Sequence, residues 1–192
     1  MEPADPTDDE AAAGASAVAL WLVRHGQTAW SEAGRYAGWT DVALTPAGEQ
    51  QARDLRGRLP HGDGVAAWSS DLSRCRETAR LAGLDPRLDA RLRELDFGAV
   101  EGATWAELTP EVRVGLLAFD SFAAPGGESV AQLEVRIREF LDGLPPGRHI
   151  VVTHGGVIRL LLRLAGQDGI VAPVQVERMV WPPGRGGPPP GS

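Results

Sequence analysis

The chain has 192 residues, 43% of them hydrophobic, which suits one α/β domain with a substantial core. Its formal charge of −7 argues against broad binding to nucleic acid or anionic membranes, because a footprint on phosphates needs a basic face. All nineteen basic residues are arginine, so Schiff-base chemistry and a P-loop lysine are excluded; Cys75 is the single cysteine, which leaves no internal disulfide and no thiolate cluster for zinc, and fits a reducing cytoplasm.

Residues 1–17 carry five acids (Glu2, Asp5, Asp8, Asp9 and Glu10) and no base, and read as a disordered acidic tail. They lack the basic start of a secretory signal, and the longest apolar run, 17–23, is far too short to cross a bilayer. A first strand is expected over 18–24. Thr45-Pro46 then supplies an N-cap and a first-turn proline for a helix over 45–59. A short strand at 65–68 precedes a helix over 71–82 that stops near Gly83, and a strand-like segment follows at 92–97. Helices at 105–119 and 129–141, a strand at 150–153, a helix at 157–164 and an edge strand at 174–180 complete the order. The Pro- and Gly-rich stretch 182–192 has nothing to bury and reads as a second disordered tail, leaving one domain over 18–181. Alternation of strand and helix predicts a mostly parallel central sheet with helices on both faces.

Two apolar strands end in the same dipeptide. Leu20-Trp21-Leu22-Val23 runs into Arg24-His25-Gly26, and Ile150-Val151-Val152-Thr153 runs into His154-Gly155-Gly156. Ligands of open α/β sheets bind beyond the carboxyl ends of the strands, so both imidazoles are expected in one crevice. Gly26 would let an anion approach the backbone, and Arg24 offers a planar fork of donors for phosphate oxygens. The competing reading of His25 is a core histidine in an ordinary turn. His154 and Gly155 would open a helix whose N-terminal amides and partial positive charge attract anions. Arg74 falls in the first turn of the 71–82 helix and would reach over the crevice, unless it pairs with Asp71 or Glu77; Arg76 and Arg80 suit a solvated face.

Further motifs occur in a fixed order: Arg24-His25-Gly26-Gln27-Thr28, Gly38-Trp39-Thr40-Asp41 with Leu44-Thr45, Ser70-Asp71-Leu72 with Arg74, Arg93-Glu94 with Phe97-Gly98, Glu101-Gly102, Gly126-Gly127-Glu128-Ser129 and His154-Gly155-Gly156-Val157. Together they resemble the histidine phosphatase superfamily, in its phosphoglycerate-mutase-like branch, over 18–164. The resemblance implies a phosphoglycerate-mutase-like three-layer sandwich and a metal-independent phosphatase, without cofactor, acting on small-molecule phosphate monoesters. His25 would attack phosphorus to form a phosphohistidine, and Glu94 would protonate the leaving alcohol and then activate water. Arg24, Arg74 and His154 would offset charge on the transferring group. Phosphate contacts are expected from Arg24, Ser31, Gly38, Arg74, His154 and Gly155. A homodimer is compatible with the sequence.

Asp96 and Glu101 compete with Glu94 for the acid role, and strand alternation would put Asp96 on the same side as Glu94. Glu128 is expected to order its loop, with Ser129 as an N-cap. Compared with the family, Ser31 stands for a common asparagine, Val100 for a tryptophan, and Cys75, read as a small buried filler, for an alanine. Cofactor-dependent mutases of the family carry lysine and paired arginines between the acid and the Gly-Gly-Glu segment. Here 95–135 holds one base, Arg113, together with Leu116, Leu117, Ala118, Phe119 and Phe122. Those apolar residues either line a lid that favours an uncharged substrate body or simply pack. Three alternatives stand beside the phosphatase: a mutase-type phosphoryl transferase, a silent binder of phosphoryl ligands, and a metal hydrolase using His25, His61, His149, His154 and Asp63.

Overall fold

The computed structural model describes residues 17–182, so both expected tails lie almost wholly outside the described residues. Its strands are β1 (Val18–Arg24), β2 (Val65–Ser69), β3 (Arg87–Leu88), β4 (Gly147–Thr153) and β5 (Val176–Trp181). Its helices are α1 (Ala29–Glu32), α2 (Pro46–Arg53), α3 (Ser73–Leu81), α4 (Pro110–Ala118), α5 (Val130–Asp142) and α6 (Gly155–Leu164). The strands form one sheet of order β3-β2-β4-β1-β5, parallel throughout except for β5, which runs antiparallel along β1 as an edge.

Successive side chains of a strand face opposite sides of the sheet, and in the central pair both sides are apolar. Val18, Leu20 and Leu22 of β1 and Val151 of β4 enter the core beneath α5 and α6. Trp21 and Val23 of β1 and Ile150 and Val152 of β4 enter a second core with Leu55 and Leu59 after α2 and Cys75 and Ala79 of α3. Helices therefore cover both faces, giving the expected three-layer α/β sandwich.

Several element boundaries differ from expectation. α2 ends at Arg53, and the chain continues to Leu59 in tight turns, with Leu55, Arg56 and Arg58 donating to carbonyls three residues back. The segment 92–97 is not a strand. The third strand is the pair Arg87–Leu88, closed when Asp89 accepts from Arg91 N–H and caps the 3-10 turn Ala90–Leu92. The helix expected over 105–119 is split into a 3-10 turn, Trp105–Glu107, and α4, because Leu108 is extended and Thr109 starts a new N-cap followed by Pro110. β4 begins at Gly147, three residues early, and α6 at Gly155.

α2 is held against the turn after β1 by a contact that only glycine permits. A Cβ on Gly48 would lie 2.1 Å from the Gln27 carbonyl oxygen, and one on Gly26 would lie 2.5 Å from the Gly48 oxygen. Gly26 thus admits a neighbouring backbone, not the anion expected from sequence. Alanine in a helix interior normally stabilises by about 1 kcal/mol relative to glycine. Here the sign reverses: Gly48→Ala is expected to lower the urea midpoint by the equivalent of roughly 1–3 kcal/mol, as over-packing does.

Candidate active site

The β1–β4 register sets Arg24 beside Thr153, and His25 N–H continues the ladder by donating to Thr153 C=O at 3.0 Å. The next residue of each strand is therefore a histidine, and the two rings stand edge to face with centroids 5.2 Å apart. His25 Nδ1 lies 2.8 Å from the Gly26 carbonyl oxygen. A carbonyl only accepts, so Nδ1 carries the proton and Nε2 of the neutral ring keeps its lone pair. His154 has the other tautomer. Its Nδ1 accepts from Arg74 Nε–H at 3.3 Å, which leaves the ring proton on Nε2, 3.0 Å from Ser70 Oγ.

Arg74 is fully buried, and its partners are backbone oxygens and an imidazole. Nη1 donates to Thr40 C=O, and Nη2 donates to Gly38 C=O at 2.6 Å and to Ala37 C=O. Neither Asp71 nor Glu77 pairs with it, because Asp71 binds Arg93 and Glu77 binds Arg80. Asp41 holds the same loop to α3 by accepting from Ser73 N–H and Oγ–H. Arg24 donates through Nη1 to Val171 C=O, while its Nε is buried with no partner. A buried donor left unpaired is costly, and one at this crevice fits an anionic ligand.

Glu94 is buried beside the start of α6, with Oε1 accepting from Leu95 N–H at 2.9 Å and Oε2 from Gly156 N–H at 3.0 Å. The Gly156 amide, expected to be free for an anion, is thus taken by this carboxylate. A Cβ at Gly156 would strike Glu94 Oε1 at 2.4 Å, and one at Gly155 would press on the Arg24 guanidinium at 3.4 Å, so both glycines make room for charged side chains. The competing acids are held elsewhere: Asp96 accepts from Gly98 N–H, and Glu101 from Trp39 and Thr40 N–H.

Of the remaining expected residues, Ser31 closes a reciprocal cap with Thr28, its hydroxyl accepting from Thr28 N–H and donating to Thr28 C=O. Gly38 serves through its carbonyl on Arg74, and a Cβ there would meet Glu101 Oε1 at 2.4 Å. Cys75 fills space as expected and also touches His154 Nε2 at 3.4 Å; burial raises its thiol well above the ordinary value. Leu116, Phe119 and Phe122 are core residues, so packing accounts for them, while Leu117 and Ala118 are exposed. The metal-hydrolase set does not assemble: His149 lies between Trp68 Nε1 and Pro145 C=O, and among the described residues no three His, Cys, Asp or Glu side chains are placed to hold a metal ion.

Sequence reasoning missed Arg136. It binds Glu128 and donates to the carbonyls of Arg93 and Glu94, fixing the segment that carries the acid. Glu128 orders its loop in this way, and Ser129 caps α5 as expected. The eight-residue gap between Glu128 and Arg136 carries no local signal. It also missed Thr78, whose hydroxyl meets Gly26 N–H.

Burial, then the charge of Arg74, pushes His25 from 6.5 down to about 3, and the same two causes hold His154 well below 6.5. The unfolded imidazoles take up protons as pH falls through 6.5, whereas the native ones stay neutral. Stability conferred by these residues is therefore complete above 6.5 and lost as pH falls below it, for His25 at up to about 1.4 kcal/mol per pH unit down to about 3. Urea midpoints measured between pH 7.5 and 5 should decline, and His25→Asn should flatten the slope; an unchanged slope would place the His25 titration elsewhere.

The sequence model of the histidine phosphatase superfamily (branch 1) matches residues 20–174. Bifunctional protein Rv2228c of Mycobacterium tuberculosis (strain ATCC 25618 / H37Rv) is 40% identical over 162 residues, 78% of this chain, which spans 44% of that protein's length. A solved structure of phosphoglycerate mutase from Thermus thermophilus is 50% identical, with a TM-score of 0.81, covering 85% of this chain and 94% of that one. The solved structure of mycobacterial hydrolase 1 is 28% identical with a TM-score of 0.71, over 85% and 92% of the two chains. A match across most of the described sheet, with both histidines inside it, makes this chain a member of the histidine phosphatase superfamily, branch 1.

Proposed function

We propose that the protein is a metal-independent phosphatase of small-molecule phosphate monoesters that works through a phosphohistidine on His25. The observation that carries this reading is the His25 ring itself, set edge to face with His154 and tied at Nδ1 to the Gly26 carbonyl, which leaves the lone pair of the neutral ring on Nε2. In the first step Nε2 attacks phosphorus, the ester P–O bond breaks, and the protonated Glu94 carboxyl gives its proton to the leaving alcohol. In the second, Glu94 takes a proton from water, the water oxygen attacks phosphorus, and the P–N bond breaks to release phosphate and restore His25.

Charge on the transferring group is met by guanidinium donors. Arg24 Nε is unpartnered, and four of the five Arg74 N–H groups have acceptors, which leaves one on Nη1. Donors placed before the reaction need no reorganisation when charge develops, which is why such preorganisation lowers barriers. His154 holds Arg74 Nε and packs against the nucleophile.

The names of the relatives include both a mutase and a hydrolase, and cation supply separates the two readings. A mutase must hold a second anionic group near the first. Arg113, the one base of 95–135, is engaged with the Trp105 and Ala106 carbonyls. From α6, Arg159 binds Leu116 and Leu117 carbonyls, and Arg163 binds Asp120 and Asp168. With Arg113 the single base over 95–135 to meet a second anionic group, hydrolysis is the favoured outcome for the phosphohistidine.

Turnover of p-nitrophenyl phosphate should persist in excess EDTA, and His25→Ala should abolish both turnover and capture of 32P on the protein. Glu94→Gln should slow hydrolysis by about 10²–10⁴-fold, most for esters with poor leaving groups. Vanadate should inhibit as a five-coordinate mimic. Loss of activity on chelation with recovery by a divalent ion, or interconversion of phosphoglycerates faster than their hydrolysis, would overturn the assignment.

A further inference from the structure

Thr78 stands one helical turn beyond Arg74 in α3 and is fully buried. Its hydroxyl makes two hydrogen bonds to different parts of the fold. It donates to the Arg74 carbonyl at 2.7 Å, the ordinary back-bond of a threonine within a helix. It also accepts from Gly26 N–H at 3.0 Å, across 52 residues of sequence. The second bond is not needed by α3, and the group it satisfies belongs to the turn that carries His25.

Gly26 is held at both of its backbone groups. Its N–H goes to Thr78 and its C=O receives the His25 Nδ1 proton. The carbonyl that fixes the imidazole tautomer therefore belongs to a residue whose position the Thr78 hydroxyl sets. No side chain stiffens Gly26, and the Gly48 backbone packs where a Cβ would lie. Without the Thr78 oxygen, Gly26 N–H would be a buried donor with no acceptor, and the turn would rearrange to satisfy it.

We propose that Thr78 is a positioning residue for the reaction, its single hydroxyl coupling the turn that orients His25 to the backbone of Arg74, and so fixing nucleophile and phosphate-binding guanidinium relative to each other. The proposal rests on the phosphohistidine reading given above. It acts through geometry: Thr78 touches neither substrate nor reacting atoms. A small displacement of a nucleophile from its line of attack costs rate more than affinity, so kcat is the parameter that should move.

The test compares Thr78→Val, which keeps the shape and removes the hydroxyl, with Thr78→Ser, which keeps the hydroxyl, using p-nitrophenyl phosphate well below the unfolding temperature. Thr78→Val is expected to lower kcat about tenfold or more, the equivalent of losing one buried hydrogen bond, with KM changed less than about threefold. Thr78→Ser should stay within about threefold of wild type. Nitrogen NMR of the His25 ring should report a mixed tautomer in Thr78→Val and an Nδ1-protonated ring in Thr78→Ser and wild type. Retention of wild-type kcat and tautomer in Thr78→Val overturns the proposal. Should Thr78→Val not fold, the wild-type Gly26 amide decides: exchange as slow as that of the β1 amides supports the bond, and fast exchange overturns it. If wild-type enzyme turns over without forming phosphohistidine, the parent reading has failed and the ring tautomers alone then judge the role of Thr78.

Discussion

Parallel pairing of β1 with β4 is the constraint on which the site depends. The register that opposes Arg24 to Thr153 makes the next residue of each strand a histidine, at adjacent carboxyl ends of the sheet. This register is strongly specified because both faces of both strands are buried. A slip of one residue would exchange every inward-facing side chain between the two cores and would misalign the imidazoles. The same burial that stabilises the strands therefore sets the distance between the two rings.

Around that pair the protein places two guanidinium groups, neither of them hydrogen-bonded to a carboxylate. Arg74 is buried and its ligands are carbonyl dipoles and a neutral imidazole, not a carboxylate, so its full charge remains in a medium of low dielectric. Arg24 is similarly placed, with Glu94 the nearby acid and its buried Nε left without an acceptor. Burying such groups costs folding free energy. The arrangement also keeps both imidazoles neutral, as the proposed attack by His25 requires, and leaves a positive potential that would suit the proposed phosphate. Stability and chemistry are coupled through the same electrostatic field.

Much of this was legible in the chain. The two apolar runs ending in His-Gly named the central strands, because runs buried on both faces carry a continuous apolar signal that survives without knowledge of neighbours. Ser129, as a helix N-cap, was readable for the same local reason. So is Thr109-Pro110, the same signal as Thr45-Pro46, and it divides the apolar stretch 105–119 that otherwise reads as one helix. The loop bearing Glu94 reads as strand-like in sequence because Leu92, Leu95 and Phe97 face a core, although their backbone pairs with no strand. Ser31 is expected at the phosphate from the resemblance alone, and the bonds of its hydroxyl to the Thr28 backbone belong to a turn whose geometry only the folded chain reveals.

What the sequence determined by itself was the set of chemical groups and the strands that deliver two of them: nineteen arginines with no lysine, two histidines at strand ends, and an ordered series of glycine-marked motifs. Tertiary structure decided which of those groups are free. Whether Arg74 pairs with Asp71 or with carbonyls, whether Gly156 N–H faces an anion or Glu94, and which tautomer each imidazole adopts all depend on atoms brought together from distant segments. Hydrogen bonds act over about 3 Å and carry no trace in local pattern, so they become readable only when the chain has closed.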